Sequence, residues 1–156
     1  MFEKKLHGLY HSCLFTEDLE LRLKFCDELL RLFDEKKDSE FPEYPFPSEN
    51  QAYDFKSACL YQLERYEESL EYCEKAISIN NGFISNPRKA YLLNYLERYE
   101  ESLEWLNLHE KEMDDRAARS PNNFSDERYG FGDVADKEDG VSFFEPKVIA
   151  MFKVGK

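Results

Sequence analysis

The sequence predicts an all-α fold: a short solenoid of helical hairpins, about six helices in all, followed by an extended C-terminal tail. Three observations predict it. The string Leu63-Glu-Arg-Tyr-Glu-Glu-Ser-Leu-Glu71 recurs letter for letter from Leu96 to Glu104, an offset of 33 residues, and self-similarity at such a period is the signature of a repeat architecture. Inside each copy the apolar side chains follow helical spacing: Tyr66, Leu70, Cys73 and Ile77 make one stripe, and Tyr99, Leu103 and Leu106 repeat its start. Glycine is scarce before residue 120, with four of the six (Gly130, Gly132, Gly140 and Gly155) in the last 36 residues.

From the N-terminus, Phe2, Leu6, Leu9, Tyr10, Cys13 and Leu14 form one helical stripe. Thr16-Glu-Asp-Leu19 then reads as a capped start for a second helix that runs to about Glu35. This second helix carries two adjacent stripes, Leu19, Leu23, Cys26, Leu30 and Phe33 beside Leu21, Phe25, Leu29 and Leu32. An arc that wide implies a helix sandwiched between neighbours, the alternative being a stripe left open for a partner. Phe41-Pro-Glu-Tyr-Pro-Phe-Pro47 breaks helix three times and reads as an extended linker, or as an aromatic peptide ligand.

The repeats follow. Their first helices are expected over roughly Asn50 to Leu63 and Pro87 to Leu96, with Asn86 as N-cap and Pro87 in the first turn, where a missing N–H costs nothing. After Ala118 the chain reads as a loop, and Phe143 to Val154 as a short strand or extended peptide. The predicted organisation is an N-terminal hairpin over 1–36, a Pro/aromatic linker over 37–48, two repeats over 49–118, and an irregular linker with a cationic, aromatic tail over 119–156.

On these residues the chain resembles the tetratricopeptide-repeat family, over about residues 50 to 116. Small residues stand where that family's helices cross, Ser57, Ser69 and Ala76 in the first unit and Ala90 and Ser102 in the second, with Tyr66 and Tyr99 at the turns. Lys56 and Lys89 depart from a usual leucine, and His109 from a usual alanine. The N-terminal hairpin reads as a degenerate third repeat, since two units seldom bury enough surface alone. The resemblance implies a non-enzymatic adaptor that holds an extended peptide or a helix of a protein partner in a groove lined by first helices. Helix position nominates Tyr53, Lys56, Arg88, Lys89 and Tyr91 for that groove. In the members that clamp a chaperone C-terminus, paired basic and Asn side chains line the groove, whereas Asp54 and Ala58 stand at the matching first-unit positions here.

A net charge of -12 favours a basic partner and disfavours free DNA and anionic membrane. The tail is the exception: its last ten residues hold Lys147, Lys153 and Lys156 and no acid. Phe143, Phe144, Lys147, Phe152, Lys153 and Lys156 are therefore the candidate contact residues of the tail. They either dock on the chain's own body or reach RNA in a ribosome-associated factor, for example an occluding or dormancy-type inhibitor.

Cys13, Cys26, Cys59 and Cys73 form no C-x-x-C pair and each falls on an apolar stripe, so reduced core thiols are expected. His7 and His11 are four apart, yet a metal site needs three or four convergent ligands, and none is assigned. Glu67, Glu68, Glu71 and Glu74 read as a solvated helix face. No catalytic residue, metal or cofactor is assigned, and without a signal peptide or a membrane-length apolar run the expected location is the cytoplasm, with the nucleus as the alternative.

Overall fold

The computed structural model describes residues 2–36, 48–79, 85–119 and 144–155. All regular structure among them is helical. The helices are α1 (Phe2–Phe15), α2 (Leu19–Glu35), α3 (Glu49–Gln62), α4 (Tyr66–Ile79), α5 (Ser85–Tyr95), α6 (Tyr99–Arg119) and α7 (Phe144–Val154). They belong to two compact units, Met1–Asn81 and Gly82–Lys156.

In the first unit α1 pairs with α2, α2 with α3, and α3 most extensively with α4. Asp18 caps α2 by accepting a hydrogen bond from the Leu21 N–H at 2.9 Å, so the start expected near Thr16 lies at Leu19. Covered by both α1 and α3, α2 buries Leu23, Cys26, Leu29, Leu32 and Phe33, drawn from both of its stripes. Leu6, Cys13, Cys26, Leu29, Phe33 and Ala52 form one core cluster, while Leu23, Cys59 and Leu60 form another.

All four cysteines are buried and none is in a disulfide. The Cys26 thiol hydrogen-bonds to Cys13, which pushes Cys26 up and brings Cys13 down. Burial pushes the Cys59 thiol up to about 11, and its Sγ donates to the Leu19 carbonyl at 3.1 Å. These groups behave as small core hydrophobes with weak donors.

The α3–α4 crossing is set by two serines. Ser57 Oγ donates to the Ser69 carbonyl at 2.9 Å, and Ser69 Oγ donates back to the Ser57 carbonyl at 2.7 Å, both side chains being fully buried. In the second unit the same crossing recurs 33 residues on, where Ser102 Oγ donates to the Ala90 carbonyl at 3.2 Å. The turns repeat as well. Glu64 and Glu97 both have φ of 58°, in the left-handed region. In the first turn the Glu64 N–H reaches the Tyr61 carbonyl at 3.0 Å and the Arg65 N–H the Leu60 carbonyl at 2.9 Å. In the second, Glu97 reaches Asn94 at 3.0 Å and Arg98 reaches Leu93 at 2.7 Å. This is the Schellman arrangement that closes a helix.

The second unit departs from expectation in two places. Helix α5 begins at Ser85, so Asn86 lies inside its first turn and is not its N-cap. The segment expected as a strand or extended peptide is the helix α7, packed on α6 and, less extensively, on α5. Pro146 is its third residue, where a helix has no N–H partner to lose, and Pro146 and Ala150 turn a fully buried edge toward α5 and α6. Asn94 Nδ2 donates to the Pro146 carbonyl at 2.9 Å, and Lys147 pairs with Glu110 of α6. A short apolar run does not declare its period, which is why this helix was not legible in sequence. The reading of 41–47 lies outside the described residues, as does that of the loop after Ala118 from residue 120 on, while α6 itself runs to Arg119.

A glutamate in the left-handed region carries a Cβ cost that glycine escapes. Glu64→Gly is therefore expected to raise the stability of the first unit by about 0.5–1 kcal/mol, and Glu64→Val to lower it. Urea denaturation followed by circular dichroism checks both signs.

Candidate functional site

The first unit holds an open groove of about 400 Å³ bounded by α2, α3 and α4. The Ser57–Ser69 crossing places it, because residues next to Ser57 on α3 are brought directly over α4. Lys56 Nζ sits 4.0 Å from the centroid of the Tyr72 ring and 2.6 Å from Asp27 Oδ1 of α2. Lys75 Nζ lies 4.5 Å from the same ring centroid and 2.6 Å from Glu71 Oε1. Tyr53 stacks against Tyr72 with centroids 6.2 Å apart, and its hydroxyl donates to Glu49 Oε1 at 3.4 Å.

On the α2 side, Arg31 is tied to Glu28 Oε1 at 2.6 Å and also to Glu35. Asp34 and Glu49 also line the groove. Every cation of the groove is thus placed against an acid, an aromatic ring or both.

The electrostatics follow from those contacts. Burial works against the Lys56 ammonium, but its hydrogen bonds to Asp27 and Tyr72 outweigh that, and the amine is held above the ordinary lysine range. The Glu71 hydrogen bond raises Lys75 likewise. Hydrogen bonds from Arg31 and Lys5 hold the Glu28 carboxyl down at about 2. Such lysines remain charged at neutral pH, which suits holding and not proton abstraction.

Tyr53 and Lys56, nominated from sequence, are therefore brought together in the first unit. Of the other three, Arg88 is 6% exposed and belongs to the interior of the second unit, while Lys89 Nζ lies 4.4 Å from the Trp105 centroid. Tyr91 is half-buried on α5. Lys56 on Tyr72 and Lys89 on Trp105 are the same contact displaced by 33 residues. Asp27, Tyr72 and Lys75 were missed by sequence reasoning. The signal that could have found Tyr72 was the recurrence of an aromatic 16 residues after each lysine.

The tail residues divide. Lys147 is paired with Glu110, and Lys153 Nζ lies 5.9 Å from the Tyr99 ring centroid, both within the second unit. Phe152 is 82% exposed and points away from the body, on the same side as Val148, with Ile149 and Met151 exposed beside them. Phe143 and Lys156 lie outside the described residues; Phe144 is the first residue of α7.

His11 stacks on Phe15 at a centroid distance of 5.8 Å, and among the described residues no group of three or more His, Cys, Asp or Glu is arranged to hold a metal ion. Nor is any described helix long and apolar enough to cross a membrane. In comparison with known proteins, no family model, no curated protein and no solved structure matches the chain.

The low Glu28 pKa sets a pH window. A folded-state value of about 2 lies below the unfolded carboxyl value of about 4.3. Its stabilising contribution is present above the unfolded value and is lost as pH falls through the folded one. Glu28→Gln is expected to lower stability at pH 7 and to make acid unfolding between about pH 4.3 and 2 shallower than in the parent chain. Thermal melts across that range measure the difference.

Proposed function

We propose that this chain is a non-enzymatic protein-binding adaptor of tetratricopeptide type, working in the cytoplasm as part of a larger assembly. The observation that carries this reading is the outer face of α7. Val148 and Phe152 are one helical turn apart, 49% and 82% exposed, with Ile149 and Met151 exposed to either side. The opposite edge of the same helix is fastened by Pro146, Ala150, the Asn94 hydrogen bond and the Lys147–Glu110 pair. An apolar stripe held rigid on a folded body has little ordering entropy left to lose on binding. An exposed phenylalanine flanked by adaptable methionine is the composition of an anchoring contact.

The absence of catalytic intent is supported by the charged groups of the groove, which neutralise one another and whose lysines are raised, not lowered. The chain's acidity supports a protein partner over a nucleic-acid one. The ribosome-associated reading would use Lys147 and Lys153, which have intramolecular engagements to give up before they reach a phosphate.

Affinity purification with quantitative mass spectrometry, comparing the parent chain with Val148→Asp/Phe152→Asp, tests the proposal. Both substitutions sit on the exposed stripe, so helicity is expected to be unchanged while the specifically retained proteins fall by about tenfold or more. Retention of an identical set by the variant would refute the adaptor surface. Ribosomal subunits that are retained by both chains and released by ribonuclease would favour the ribosome-associated reading instead.

A further inference from the structure

We infer that α7 is the first helix of an uncompleted hairpin, and that its outer face takes an amphipathic helix of another protein in the position that α4 and α6 hold against α3 and α5. This rests on the reading of α7 as a binding face and names what binds there.

The closing turns set the register. Helix α7 ends with Gly155 in the left-handed region, at φ 74°, and its N–H donates to the Phe152 carbonyl at 3.3 Å. Glu64 and Glu97 close α3 and α5 in the same region, with their N–H groups on the Tyr61 and Asn94 carbonyls. With Gly155 laid on those two glutamates, Lys147 falls on Lys56 and Lys89. Lys147 pairs with Glu110 on α6, the second helix before it, as Lys56 pairs with Asp27 on α2. Ala150 falls on Cys59 and Leu92, and all three are buried. Helix α7 also packs on α6 more than on α5, as α3 packs on α2 more than on α1.

On the opposite side the same register separates α7 from its counterparts. Val148 falls on Ser57 and Ala90, the crossing points under α4 and α6, and Met151 falls on Leu60 and Leu93. Ser57, Ala90 and Leu60 are 0% exposed and Leu93 1%, whereas Val148 is 49% exposed and Met151 38%. Phe152 falls on Tyr61, whose ring centroid lies 6.0 Å from that of Tyr66 at the start of α4. Among the described residues no helix follows Gly155 to cover these side chains. A terminal helix that only capped the array would turn a polar face outward.

Packing selects the occupant. Val148 is bulkier than the residues at the other two crossings, so the incoming helix must bring the small side chain there, followed by an apolar one, as Ser102 and Leu103 do in α6. A second copy does not fit. Its α4 and α6 are held against its own α3 and α5, and its α7 offers Val148, Ile149, Met151 and Phe152 outward with no small residue among them. The chain's own stretch 120–143 carries Pro121, Gly130, Gly132 and Gly140, which oppose a helix as long as α4.

The probe is a synthetic peptide of residues 98–112, acetylated and amidated, titrated into the full chain and followed by methyl and ring shifts. It is expected to shift Val148, Met151 and Phe152. Ser102→Leu in the peptide is expected to weaken binding by about tenfold, because the crossing is then overfilled. Val148→Ala in the chain, with helicity checked by circular dichroism, is expected to tighten it by about threefold by the same argument. A nonspecific apolar contact would instead weaken as Val148 loses surface.

Four outcomes overturn the inference: no shift on α7, shifts confined to Ala90 and Leu93 through exchange into the α5 hairpin, weaker binding by Val148→Ala, or nuclear Overhauser contacts from Phe152 to residues 120–143 in the free chain. Any of the first three, beside a loss of retained proteins in Val148→Asp/Phe152→Asp, would leave the adaptor face standing and remove the hairpin helix as its occupant.

Discussion

The hydrogen-bonded crossing of Ser57 and Ser69 is the constraint from which the rest of the first unit follows. Two helices approach this closely only where neither side chain holds them apart, and here each hydroxyl also satisfies the other helix's carbonyl at 2.9 and 2.7 Å. The cost of burying two hydroxyls is met by the bonds they make. With the axes fixed, Lys56, the neighbour of Ser57, lies between Asp27 of α2 and the Tyr72 ring of α4. The left-handed turn at Glu64 returns the chain at the required angle, and Arg65 steadies it through paired bonds of 2.8 Å to Glu68.

The duplication gives this argument an internal control. Lys89 on Trp105, φ of 58° at Glu97 and Arg98 on Glu101 recur in the second unit, and Ser102 on Ala90 keeps one of the two crossing bonds, with Ala90 standing where a serine stood and Trp105 where a tyrosine stood. What survives these changes is size at the crossing and a π face under the lysine. That is a physical requirement on the two positions, independent of any particular letter.

Much of the hairpin architecture was legible because it rests on local and periodic signals: the stripe of Leu70 and Cys73, the broad apolar arc of α2, and Pro87 in the first turn of α5. The end of the chain was not. Phe144 to Val154 is short and apolar on more than one side, and only its packing on α5 and α6 selects helix. The groove was half legible. Tyr53 and Lys56 follow from helix position, but Asp27 lies on another hairpin, and no spacing rule ties residue 27 to residue 56. Arg88 shows the same limit from the other side, since helix position marked it as surface and tertiary packing buried it. The tail's cationic look was also a property of its letters alone, since Lys147 and Lys153 turn toward Glu110 and Tyr99 and leave apolar side chains outward.

The claim on which this account turns is that the serine crossing places Lys56 over Tyr72. The proton shifts of the Lys56 ε-methylene measure it directly, because a methylene beside an ammonium 4.0 Å from a ring centroid lies within the ring current. In the parent chain that signal is expected upfield of its unfolded position. In Ser69→Leu, which forces the helices apart, it is expected to move back toward that position while far-UV circular dichroism still reports helix. An unshifted signal in the parent chain, or one equally shifted in Ser69→Leu, would contradict the account.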